Sequence, residues 1–109
     1  MRASPTLSDV VARTKLSTLT LSDGNYAAPT DDALRSDLEA HKRLGFTSVR
    51  KHEKVESRRW YYHADRLGLL VWQDMPGCPG HDACDETFPQ QLANIVRKRR
   101  AHPSIVSWT

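Results

Sequence analysis

The chain has 109 residues, 39% hydrophobic and 27% charged, with a formal charge of +3 from 16 basic and 13 acidic side chains. That length suits one domain, and that mix excludes a disordered chain. The charge is too small to single out a nucleic acid as partner, and no apolar run approaches the roughly 20 residues of a membrane-spanning helix. The longest is Leu67-Gly68-Leu69-Leu70-Val71-Trp72.

Arg2 near the N-terminus is followed by no continuous apolar segment, so no secretory leader is expected and the cytoplasm is the default compartment. Residues 1–24 form a poorly defined segment in which Leu19-Thr20-Leu21 reads as a short strand. From Pro29 the signals sharpen. Thr30 can cap a helix, and Asp31 and Asp32 put negative charge at its positive end. Leu34, Leu38 and Leu44, with Ala33 and His41, fall on one helical face. Gly45 supplies a left-handed stop, and residues 46–50 read as a strand.

The next block repeats the plan. Ser57 can cap a helix whose apolar face is Trp60, Tyr61, Ala64 and Leu67. Gly68 ends it, and residues 69–72 read as a buried strand. Arg43-Leu44-Gly45 and Arg66-Leu67-Gly68 are the same joint: helix end, glycine, strand. Such joints mark a parallel sheet of β/α units. A third helix is predicted over residues 85–101, with Phe88, Leu92, Ile95 and Val96 as its stripe. Pro103 breaks it, and residues 104–108 read as a fourth strand. A doubly wound sheet and a (β/α) barrel share this pattern, but no Gly-rich phosphate loop follows any strand.

Cys78 and Cys84 sit in the Pro/Gly loop between the third strand and third helix. Three readings stand: two free thiols, a small disulfide that needs an oxidising compartment, or a metal site with His81 that lacks a fourth ligand. Free thiols are the simplest, so no metal and no cofactor is expected.

Several stretches resemble the catalytic barrel domain of glycoside hydrolase family 2, the β-galactosidase/β-glucuronidase/β-mannosidase group. They are residues 28–37, which open Ala28-Pro29-Thr30-Asp31-Asp32, and Lys42-Arg43-Leu44-Gly45-Phe46. Next come Val49-Arg50-Lys51-His52 and its continuation to Glu56, residues 59–76, and His102-Pro103-Ser104-Ile105-Val106-Ser107-Trp108. The resemblance implies an α/β fold, a partial (β/α)8 TIM barrel with roughly the first four strands and three helices, over residues 25–109; about 250 residues is typical of the whole fold. It implies retaining hydrolysis of β-linked sugars, with two carboxyl groups about 5–5.5 Å apart. The acid/base glutamate of the family lies in an Asn-Glu pair just past the strand that residues 104–108 resemble, and the nucleophile near the seventh strand. Both positions fall beyond Thr109, so this chain by itself is expected to be inactive, with no catalytic residue of its own.

Barrel enzymes gather their sites at strand C-terminal ends. Arg50 and His52 close the second predicted strand, Trp72 and Asp74 the third, and Trp108 the fourth. The substrate-binding candidates are Arg50, His52, Asp74 and Trp108, reaching sugar hydroxyls or stacking on a sugar face. The simpler readings are ion pairing for Arg50 and Asp74, a loop hydrogen bond for His52, and core packing for Trp72 and Trp108. Glu53 and Glu56 are expected on the loop at the barrel mouth. Arg97-Lys98-Arg99-Arg100 reads as a solvated helix end; a small basic nucleic-acid module is the rival from another class. Self-association through open strand edges, or assembly with a complementary chain, is a further expectation.

Overall fold

The computed structural model describes residues 30–77 and 86–109 together with the backbone of Leu16–Leu19. In chain order the elements are β1 (Leu16–Leu19), α1 (Asp31–Arg43), β2 (Ser48–Lys51), α2 (Arg58–Leu67), β3 (Leu70–Gln73), α3 (Phe88–Arg99) and β4 (Ile105–Trp108). The strand expected at 19–21 thus begins earlier, and Thr20 and Leu21 lie outside the described residues. So do Cys78, His81 and Cys84.

Local chemistry explains the helices. Thr30 Oγ1 accepts the Ala33 N–H at 3.2 Å, and Asp31 and Asp32 occupy the first turn of α1. Leu34 and Leu38 are buried. Leu44 is not: it caps α1 at the C-terminus and is 74% exposed. The helical face ends one residue before it, because Gly45, at φ 87°, turns the chain away. Ser57 occupies the N-cap of α2 in extended backbone, but its hydroxyl makes no capping bond. Gly68, at φ 68°, ends α2 in the left-handed region. The stripe on α3 is only half-buried, and no residue of that helix is buried.

All three strand pairs are parallel, and the order is β1-β2-β3-β4. Each strand therefore lies beside its chain successor, with no reversal of the kind that makes a doubly wound sheet. Val49 pairs with Val71 and Arg50 with Trp72. Between β3 and β4 the register slips: Val71 pairs with Ile105 but Trp72 with Ser107, which skips Val106.

Strand side chains alternate between faces. Val49 and Val71 join Leu34, Leu38, Trp60, Tyr61, Ala64 and Leu69 in the core, so α1 and α2 cover one face. Arg50 and Trp72 belong to the other. The turn into β4 is tied to α2 by Asp65, whose carboxylate accepts the Ser104 N–H at 3.0 Å and lies 2.7 Å from His102 Nδ1. Burial pushes the Asp65 carboxyl up, but these hydrogen bonds outweigh it and hold it below the usual carboxylate range.

Candidate functional site

Arg50 is the third residue of β2, and Asp74 follows directly on β3. The parallel ladder continues past β3, since the Asp74 N–H donates to the Lys51 carbonyl at 3.1 Å. This register brings two residues distant in sequence side by side. Arg50 Nε lies 3.1 Å from both Asp74 oxygens, and Nη2 donates to Oδ2 at 2.9 Å. Planar guanidinium and carboxylate match in this fork, which is stronger than a neutral hydrogen bond. The Asp74 side chain is 7% exposed and that of Arg50 38%. The hydrogen bonds from Asp74 push the guanidinium pKa still higher, so its charge is permanent.

The other expected site residues are placed as follows. Trp72, the register partner of Arg50, is 43% exposed. His52 is half-buried, one residue past β2. Trp108 is half-buried on β4 opposite Gln73. Arg50, Trp72 and Asp74 are thus brought together, with His52 beside them and Trp108 a strand away.

Under the same strand ends, on the helix side, lies a polar network that sequence reasoning missed. Lys51 Nζ sits 2.5 Å from Glu56 Oε1, with their side chains 1% and 8% exposed. Glu56 is therefore not a mouth residue: its carboxylate turns under the loop, where Lys54 also reaches it at 3.3 Å. The Glu56 N–H donates to the Tyr61 hydroxyl at 3.1 Å, and that hydroxyl donates to Gln73 Oε1 at 2.5 Å. Gln73 Nε2 in turn donates to the carbonyls of Lys54, at 2.8 Å, and Asp74, at 2.7 Å. Of the basic run on α3, Arg99 is half-buried, donates to the Glu56 carbonyl at 3.2 Å and lies 5.7 Å from the Tyr61 ring centre. The network pins the loop that carries His52. Its signal was present: Lys51 and Gln73 are polar residues at core-facing positions of strands, and such residues require partners.

Burial pushes the Tyr61 phenol up from 10.0 to about 12, against the opposing effects of the Glu56 hydrogen bond and Arg99. A group whose folded pKa lies above its unfolded value stabilises the fold below the unfolded pKa and loses that contribution as pH rises through the folded one. Stability should therefore fall by about 2–3 kcal/mol between pH 10 and pH 12 on account of this phenol. Urea unfolding across that interval checks it. Tyr61→Phe should abolish that component of the slope, whatever the substitution costs at neutral pH.

A cleft of about 400 Å³ lies between α1 and α2, with Asp31, Arg35, Arg59 and His63 in its lining. Its charges answer one another. Asp31 Oδ1 lies 2.8 Å from Arg59 Nε and 2.9 Å from His63 Nε2, which hold the Asp31 carboxyl far below the usual range. Arg35 pairs with Asp32 and Glu39. Among the described residues no cluster of His, Cys, Asp and Glu could hold a metal ion, and no helix is long and apolar enough to cross a membrane.

No protein-family model matches the chain. It is 30% identical, over 89 residues, to a protein of Formosa agariphila named as a β-glucuronidase, a match that covers 79% of this chain and 11% of that one. The β-D-mannosidase of Dictyoglomus thermophilum superposes with a TM-score of 0.74 at 25% identity, over 88% of this chain and 13% of that one. A glycosyl hydrolase family 2 member from Bacteroides cellulosilyticus superposes with a TM-score of 0.64 at 27% identity, over 73% of this chain and 11% of that one. The chain is glycoside hydrolase family 2-like. This family 2-like segment spans 11% of the length of the β-glucuronidase it matches. The likeness in fold to the mannosidase extends over helices and parallel strands alike.

Proposed function

We propose that the chain forms one arc of the (β/α)8 barrel of a retaining β-glycosidase, and that Arg50, Asp74 and Trp72 hold a β-linked sugar at its rim, with His52 and Trp108 flanking. The barrel portion expected over 25–109 then takes in β1 as well. One observation carries this reading. A buried carboxylate locks a half-exposed guanidinium at the C-terminal ends of adjacent parallel strands, beside an exposed indole on the face the helices leave open. Arg50 keeps N–H donors that Asp74 does not occupy, and these suit sugar hydroxyls. The Trp72 ring offers an apolar face to the C–H side of a sugar.

Retaining hydrolysis also needs two carboxyl groups set across the scissile bond. Glu56 is consumed by Lys51, Glu39 pairs with Arg35 on α1, and Glu86 sits in the turn before α3. Asp74 is committed to Arg50. Among the described residues that leaves Glu53 at the rim, without a second free carboxylate to make the pair. Purified protein given aryl β-mannoside and aryl β-glucuronide should release no more phenol than a buffer blank. Turnover that disappears in a folded Glu53→Gln variant would overturn this assignment of roles.

A further inference from the structure

The loop after β2 turns at Glu53, which has φ 51°. Residues other than glycine, asparagine and aspartate seldom adopt that left-handed conformation. The turn carries the Glu53 carboxylate across to the loop after β3: a methyl group placed on Gly77 would sit 3.4 Å from Glu53 Oε1. The two loops that follow Arg50 and Asp74 in sequence therefore meet with a carboxylate between them. Glu53 is exposed, and its charge acts on Arg50, adding to the effect of Asp74.

Among the described residues the local balance of charge is lopsided. Arg50 answers both Asp74 and Glu53. The neighbouring cations Lys51 and Lys54 are turned to Glu56 on the helix side. We propose that Glu53 makes this rim selective for uncharged β-linked sugars over sugars that bear a carboxylate. The inference rests on the rim being a sugar site and adds the class of sugar. A uronate arriving there would find the Arg50 charge already answered by Asp74 and would meet the Glu53 charge, whereas a hydroxymethyl group would meet no such repulsion. Selectivity of this kind works by repelling the wrong ligand. The relatives named for β-glucuronidase and for β-mannosidase differ in this respect, and the rim charge favours the neutral side.

The test uses the whole chain, isotopically labelled, in nuclear magnetic resonance titrations at low salt. The probes are methyl β-D-glucopyranoside and its 6-carboxylate counterpart, which differ only in the charged group. The neutral probe should shift the Trp72 indole and Arg50 signals and bind about fivefold or more tightly than the uronide, a gap of the size expected for a partly screened like-charge contact. Glu53→Gln should narrow the gap to within about twofold, while Glu39→Gln, the same charge change on α1, should leave it intact. Equal binding of the two probes, or a gap that survives Glu53→Gln, overturns the selectivity and leaves the sugar site standing. Failure of both probes to bind overturns the sugar site and the selectivity together.

Discussion

Replacing Glu56 by alanine is expected to destabilise the protein by about 3–5 kcal/mol, the range for breaking a buried ion pair from one side. Lys51 has almost no exposed surface, and burial is the main force lowering its pKa, with Glu56 opposing it. Without Glu56 the ammonium keeps its desolvation penalty, against which stand the Trp60 ring, 5.1 Å away, and the weaker attraction of Asp37. Single domains are stable by about 5–15 kcal/mol, so the loss is a large share of the whole. The double variant Lys51→Met with Glu56→Leu should recover most of it, because apolar pairs of similar volume often replace buried ion pairs at little cost. Urea unfolding of both variants measures the difference. The sign of the pH response adds a check. A lysine whose folded pKa is depressed binds fewer protons folded than unfolded, so the Glu56→Ala protein should gain stability as pH rises toward the ordinary lysine value of 10.5. A single variant within about 1 kcal/mol of the parent would show that the pair is not sealed from water.

Trp60→Ala should cost a similar amount, about 3–5 kcal/mol, for a different reason. Trp60 is fully buried, stands edge-on to Tyr61 at 5.1 Å between ring centres, and is the largest side chain of the core. Truncation leaves a cavity beneath Lys51 and removes the wall against which Tyr61 holds its hydroxyl toward Gln73. Trp60→Phe should cost much less. It keeps an aromatic edge against Tyr61 and deletes an indole N–H that is buried without a partner among the described residues. Thermal unfolding of the two variants separates lost volume from lost ring geometry. Equal losses would mean that packing around the six-membered ring does not decide stability here.

The helices and joints were legible in the sequence. Thr30 caps α1, Gly45 and Gly68 stop their helices in the left-handed region, and the α2 face of Trp60, Tyr61 and Ala64 is the one buried. These features depend on neighbours a few residues away. The spacing carried the helical face one residue too far at Leu44, because a periodic pattern does not show where the axis ends. Arg50, His52, Asp74 and Trp108 could each be named as strand-end residues, but their roles could not. Arg50 and Asp74 become partners only through the β2–β3 register, and Trp72 is exposed because it stands on the face the helices leave open. Glu56 read as a mouth residue because a charge on a loop is normally solvated. Its burial depends on Lys51, Tyr61 and Arg99, which come from three elements.

Sequence alone determined the alternation of helix and parallel strand and the set of side chains gathered at the strand ends. Caps, glycine stops and periodicity act over a turn or two and need no distant partner. Tertiary structure decided which carboxylate answers which cation, because burial and strand register are set by residues far apart in the chain. That is why Glu56 belongs to Lys51, Asp74 belongs to Arg50, and Glu53 is left exposed beside Gly77.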